Sequence, residues 1–402
     1  MSFRYLGAII SKTPPTVTAP VDGEGGSASG AWSISSQANY QALGTWPKPL
    51  LFGQLWSWGL NNTGQVGDGT LTNRSSPVQL GALTTWIRIA GGRRQGIAVK
   101  TDGTLWTWGD GYAGQLGLGN TTTYYSPKQV GALTTWYNIA GNNSFTVATK
   151  TDGTLWSWGT GAQGRLGLGN TTDYSSPKQV GALTAWLKVA CGNNFTLANK
   201  TDGTLWSWGQ NAYGQLGLNV ATYYSSPKQV GALTTWLSVA CGYTFTSAVK
   251  TDGTLWAWGE NAYGQLGDGT TTNRSSPVQV GALTAWSDVA NGYYHAIATK
   301  SDGTLWVWGR NTNGQLGLGN TTHYSSPKQV GALTNWSRSR GGFYQTIAFK
   351  TDGTLWSWGN NTSGQLGLGN TTAYSSPKQV GALTTWLKIS AGKYQSLAIK
   401  SA

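Results

Sequence analysis

Two histidines, two cysteines and 14 acidic residues are the whole stock from which this 402-residue chain could build acid–base, nucleophilic or metal chemistry. Their spacing assembles none of it. His295 and His323 fall in no Ser/His/Asp pattern and no His/Cys cluster with metal-ligand spacing. Cys191 and Cys241 occupy one position in adjacent copies of a repeated segment, where other copies carry Gly91, Gly141, Asn291, Gly341 and Ala391. A small packed residue explains that column better than a bridge or a metal site. The recurring GQLGLGN is glycine-rich but lacks the lysine and the strand–loop–helix setting of a phosphate cradle. The expectation is a protein that is not an enzyme, with no metal and no cofactor.

The chemistry left is recognition, and the elements that would position it come from repetition. KTDGTLWSWG stands at 150–159, 200–209 and 350–359, with near-copies at 100–109, 250–259 and 300–309. The units are 51–100, 101–150, 151–200, 201–250, 251–300, 301–350 and 351–400, all 50 residues long. Each yields four strand candidates. TLWSWG, FTLANK and WLKVACG alternate and are rich in β-branched and aromatic residues, with Asp-Gly as a hairpin turn between successive units. The fourth, PKQVG, begins with a proline that suits the first residue of an outer edge strand. Four strands per period of this length is the pattern of a propeller blade, so residues 51–402 are expected to form an all-β, seven-bladed β-propeller. GQLWSWG (53–59) has no preceding hairpin partner and YQSLAIKSA no following one, so 394–400 should pair with 54–59 and close the ring from two half-blades. Of the 23 Trp, 21 fall three to a unit and are expected in the core between blades.

TDGT and GALT hardly vary among units and should share one rim of the ring. Three pieces vary: the residue after WG (Leu60, Asp110, Thr160, Gln210, Glu260, Arg310, Asn360), the position before the YS or RS step (including Asp173, Tyr223 and His323), and the turn after VACG. All three should converge on the opposite rim, and loops on a rigid scaffold are where binding usually resides. The candidate ligand-binding residues are Arg93, Arg94, Asn143, Asn193, Asn194, Tyr243, Tyr293, Tyr294, His295, Phe343, Tyr344, Lys393 and Tyr394. Unit six breaks the core pattern with Ser339 and Arg340, for which Asp288 is the expected partner, and Asp68/Arg74 and Asp268/Arg274 covary, which fits either loop ion pairs or copying of a whole segment.

Charge narrows the partners. The net charge of +13 is spread over seven unit-ending lysines (Lys100 to Lys400) and five on the outer strand (Lys128, Lys178, Lys228, Lys328, Lys378). Such a belt favours acidic glycans or other polyanions without specificity, and no basic groove with interleaved aromatics points to specific nucleic-acid binding. No apolar run approaches the roughly 18 residues of a membrane helix, so membrane insertion is not expected. The apolar patch Leu6–Ile10 is shorter than a signal peptide's core, and the N-terminus reads as unprocessed.

The motif G…W.WG.N..GQLG.G…P..V…W..VA.G…A…DG resembles the regulator-of-chromosome-condensation repeat across 51–402, a family of seven-bladed propellers with diverse functions. The founding member is an exchange factor for a nuclear GTPase whose working wedge is an insertion, and no unit here carries one. A plant photoreceptor of the family uses a Gly-Trp-Arg-His-Thr segment, where GRRQG (92–96), GNNFT (192–196) and GYYHA (292–296) stand here without Trp. Neither function is expected. Residues 1–50 read as an arm, with a linker at 13–30 and a short helix ending near Leu43. Within it, SGAWSISSQANYQALGTWP (29–47) resembles a segment of tailed-bacteriophage fibres and appendages, which makes Trp32, Tyr40, Trp46 and Pro47 the expected anchor to other virion proteins. The resulting expectation is a virion structural protein, a tail fibre or other appendage, that binds a host cell-surface glycan or protein. A structural decoration or connector and a cellular protein-binding propeller are the alternatives. No coiled-coil heptads are present to specify a homo-oligomer.

Overall fold

The computed structural model describes residues 52–142 and 144–401. The expected anchor residues Trp32, Tyr40, Trp46 and Pro47, the helix ending near Leu43, and the rim residue Asn143 lie outside the described residues.

The four strands of each 50-residue unit divide between two blades. β3 (Trp86–Gly91) and β4 (Gln95–Lys100) come from the first unit, and β5 (Leu105–Gly109) and β6 (Tyr124–Gln129) from the second, yet they form one four-stranded sheet. The Asp-Gly turn explains this. It joins β4 to β5 as an antiparallel hairpin, with Val99 opposite Leu105, while Asp102 Oδ1 accepts from the Thr104 amide at 2.9 Å and its hydroxyl at 2.6 Å. Seven such sheets, built from strands β1 to β28, make up the described structure. The last is a composite. β1 (Gln54–Gly59) pairs with β28 (Gln395–Lys400) in unbroken register from Gln54↔Lys400 to Gly59↔Gln395, which closes the ring as the half-blade ends require.

Proline departs from expectation. The outer strand begins three residues earlier, at Arg74 or Tyr124, and Pro77 lies between the pairs Gly59↔Arg74 and Ser57↔Val78, where the register shifts. A bulge tolerates a missing amide donor as well as a strand start does.

The core sits between blades. Phe145, Val147 and Leu155 of one blade pack with Trp186, Val189, Ala198 and Trp208 of the next, and this grouping recurs around the ring. One Trp per blade (Trp58 to Trp358) is fully buried, and the Trp86 set is nearly so. The Trp56 set is only half-buried, and each unit-ending lysine lies over it: the Lys150 ammonium is 3.6 Å from the Trp156 ring centre and 4.9 Å from that of Trp136. The outer-strand lysines similarly lie over tyrosines, Lys228 at 5.4 Å from Tyr224.

Candidate functional site

The turns after the inner strands gather at one mouth of the ring, held there by backbone rather than side chains. Asn193 N donates to Tyr243 O (3.1 Å), Tyr243 N to Tyr293 O (3.0 Å), Tyr293 N to Gly342 O (3.0 Å), Phe343 N to Lys393 O (3.2 Å) and Lys393 N to Gly92 O (3.3 Å). Because these bonds use main-chain atoms, side chains at the same positions can vary without loosening the ring. The loop after each first strand reaches the same mouth, since Asp110 N donates to Arg94 O and Arg310 N to Tyr294 O, both at 2.9 Å. The variable pieces therefore share one rim, and TDGT and GALT share the other, where Trp136 N bonds Gly103 O.

In three blades the two variable turns are chemically matched, and a fourth pair bridges two blades. Arg94 Nη1 faces Asp110 Oδ2 at 3.7 Å, Asn194 Nδ2 donates to Gln210 Oε1 at 3.0 Å, and the Thr244 hydroxyl bonds the Glu260 carboxylate. Arg310 Nη1 donates to Tyr344 Oη at 3.3 Å, with its guanidinium 5.6 Å from the Tyr294 ring centre. Exposed residues drifting independently would not keep complementary partners.

The aromatic residues form a continuous arc. Tyr243 stacks on Tyr293 at 3.6 Å, Tyr293 meets Phe343 at 3.8 Å, and Phe343 meets Tyr394 at 5.4 Å, with Tyr294 and Tyr344 edge-on at 4.6 and 4.2 Å. These side chains are half-buried. Burial, then a hydrogen bond with Tyr243 that favours the protonated form, pushes the Tyr293 phenol far above its usual range, so it is neutral at physiological pH. Two cations serve it: Arg310 lies 4.8 Å from Tyr263 and 5.0 Å from Tyr344, and Lys393 lies 4.2 Å from Phe343. Burial, reinforced by Arg93 and Arg94, lowers the Lys393 ammonium to about 8.

Two expected rim residues are not on the surface. His295 is fully buried, its Nε2 3.0 Å from Thr346 Oγ1, and burial depresses the imidazole to about 3. It fills the place that Phe145, Phe195 and Phe245 fill in other blades, so it belongs to the packing beneath the turn. Asn193 is likewise buried, at 7% exposure, and contributes its main chain. Tyr112 and Tyr263 are further rim residues, and Gln95 and Arg165 are buried polar residues beneath the rim. Burial lowers the Arg165 guanidinium to about 10, where most other units carry Gln. Variation at these columns was the available signal.

Away from the rim, Arg340 meets Asp288 at 3.2 Å, as expected, and Arg74–Asp68 and Arg274–Asp268 close at 2.6 and 2.8 Å. Cys191 and Cys241 are free thiols, raised well above their usual range by burial. No group of three or more His, Cys, Asp or Glu side chains is placed to hold a metal among the described residues, and no helix there is long and apolar enough to cross a membrane.

The RCC1-like domain matches residues 136–398, and the regulator of chromosome condensation (RCC1) repeat matches 53–99 and 102–149. Among solved structures, human WBSCR16 superposes with a TM-score of 0.79 at 21% identity, over 87% of this chain and 99% of that one. Prp20p of Saccharomyces cerevisiae, whose binding properties to Gsp1p and histones are described, gives a TM-score of 0.75 at 19% identity, covering 92% of this chain and 96% of that one. Yeast RCC1 (Prp20) bound to Kap60 gives 0.77 at 17% identity, over 99% of this chain and 97% of that one. At these identities the likeness is one of fold. No curated protein matches the chain by sequence.

Proposed function

The chain belongs to the RCC1-like domain family, and from that premise we propose that it is a non-catalytic recognition protein whose variable rim holds the ligand. One observation carries this reading. The rim is variable in side chain yet ordered in structure, with matched pairs and an unbroken arc from Tyr243 to Tyr394 fixed on a run of main-chain bonds between adjacent turns. Rigid, half-exposed aromatics with interspersed Arg and Asn have the composition of a binding surface. Loss of side-chain entropy on binding is small when the rings are already stacked.

The setting we assign is a tailed-phage virion appendage, with residues 1–50 as the anchor and a host surface glycan or protein as the ligand. It is supported by the likeness of residues 29–47 to phage appendage proteins. The fold also serves protein docking in Prp20p, described with Gsp1p and histones, which favours a protein-binding module as the second reading. Adsorption of the labelled full chain to a panel of bacterial cells tests the first. Saturable binding that disappears when Tyr293, Tyr294, Phe343 and Tyr344 become Ala, but survives Leu183→Ser on the opposite rim, is the expected result. Absence of adsorption to every strain would refute a host-surface ligand. Deletion of 1–50 should then abolish particle association; a protein-binding module outside the virion would lose nothing.

A further inference from the structure

We propose that the rim beside the second blade holds a carboxylate-bearing sugar, in a cleft lined by cations, an unpaired acceptor, a carboxylate and an exposed ring. The inference rests on the rim being the binding face and names the ligand class of one part of it. The cleft is open to solvent on one side and is lined by Arg93, Arg94, Gln95, Asp110, Tyr112 and Ser144, among others.

Its cations come from consecutive residues of one turn. Arg93 and Arg94 both line the cleft, where the lining supplies the single carboxylate of Asp110 against them. The Arg94–Asp110 contact, at 3.7 Å, is longer than a charge-assisted hydrogen bond, and the Arg94 side chain remains 46% exposed. Its guanidinium fork can therefore take an anion without breaking a tight internal pair.

Its acceptors ask for something more than an anion. Gln95 is buried, and its amide orientation is set by donation from Nε2 to Thr146 Oγ1 (2.9 Å) and Phe145 O (3.2 Å). That leaves Gln95 Oε1 buried with no donor. An orphaned acceptor of this kind costs stability unless a ligand or solvent donor reaches it. Asp110, whose Oδ1 accepts from the Tyr112 amide at 3.1 Å, adds a carboxylate to the same lining. Tyr112, 66% exposed, offers an apolar face at the open side. A ligand that answers all three has a carboxylate for the arginines, hydroxyls for Gln95 Oε1 and Asp110, and a ring face for Tyr112. A bare phosphate would satisfy the arginines but turn its oxygens toward two acceptors. A neutral sugar would leave the cations unused.

Titration of the full chain with D-glucuronate, D-glucose and inorganic phosphate, read by NMR and calorimetry, tests the assignment. The expected result is saturable glucuronate binding with a Kd on the order of 1 mM, what a ligand of that size reaches, and neither of the others at that concentration. Arg94→Gln should weaken glucuronate by about tenfold or more, and Tyr112→Ala should weaken it while leaving the melting temperature unchanged, since both side chains are in exposed turns. Phosphate binding as tight as glucuronate, glucose binding as tight as glucuronate, no saturation, or an unaffected Arg94→Gln variant would each overturn the proposal. Cell adsorption that depends on Tyr293 and Phe343 but is not competed by glucuronate would sink this subsite and leave the rim reading standing. Failure of both would remove both.

Discussion

Replacing one core tryptophan at two equivalent places should give unequal losses, and the inequality follows from a shared acceptor. Each fully buried Trp donates its indole N–H to a carbonyl of the neighbouring blade: Trp158 to Gln115 O at 2.9 Å, Trp308 to Gln265 O at 3.0 Å. In five blades that carbonyl also accepts a hydroxyl, as Gln115 O does from Thr146 at 2.9 Å and Gln315 O from Thr346 at 2.8 Å. Gly96 and Ala296 lack the hydroxyl, so the Trp308 indole is the side-chain donor that remains to Gln265 O among the described residues. Trp158→Phe and Trp308→Phe remove the same ring area from sites of 0% exposure, and that common cost cancels in the comparison. What remains is one buried carbonyl left without a donor, worth about 1–3 kcal/mol. Urea unfolding should therefore show Trp308→Phe to be the more destabilised by that amount at equal m-value. Adding Ala296→Thr to Trp308→Phe should recover the difference. Site 96 is unsuitable for this rescue, because a side chain there would meet Trp108 Cε2 at 2.1 Å. Equal losses within about 0.5 kcal/mol, the usual limit of additivity, would refute the shared-acceptor account.

Three further outcomes follow from single residues. Arg340→Ala should change stability by no more than about 1 kcal/mol, since the pair with Asp288 is part-exposed and Ala stands at this position in other blades; thermal unfolding at two salt concentrations checks it. His295 has a folded pKa near 3, below its unfolded value of about 6.5, so the unfolded chain binds more protons across that window and stability falls as pH drops through it. His295→Phe should abolish that component, and parallel pH profiles of the two proteins would contradict it. Lys393, held at about 8 by burial, Arg93 and Arg94, carries a penalty that is complete below pH 8 and is relieved as pH rises toward the unfolded value of about 10.4. Lys393→Met should thus be more stable than the parent at pH 7, with the gap narrowing by pH 10.

What repeats was legible in the sequence, and what does not repeat was legible only as variation. The blade count, the ring closure from 54–59 and 394–400 and the common rim follow from period, turn chemistry and strand direction, and the Arg340–Asp288 pair from comparing one unit with the next. The outer strand starts before its proline because the register shift absorbs the missing donor, which the residue type alone does not show. His295 sits in the core because Thr346 of the adjacent blade supplies a bond to its imidazole, a partner outside its own unit. Inter-blade partners lie 43 or 51 positions away in the chain, and nothing in a single unit announces them.

The same inter-blade bonds explain how one rim can vary while the fold does not. A tryptophan N–H meeting a main-chain carbonyl is indifferent to the side chain carrying that carbonyl, which is why Arg165 can replace glutamine without losing the 3.0 Å bond from Trp208. Gly167 permits the approach: it sits at φ +75°, and a Cβ there would lie 2.7 Å from Trp208 Nε1. The rim turns use the same device, tying Tyr243 N to Tyr293 O and Lys393 N to Gly92 O. Scaffold and recognition are thereby separated at the level of atoms, main chain for one and side chain for the other. Substitutions at Arg94, Tyr112, Tyr293 or Phe343 should accordingly move binding far more than stability.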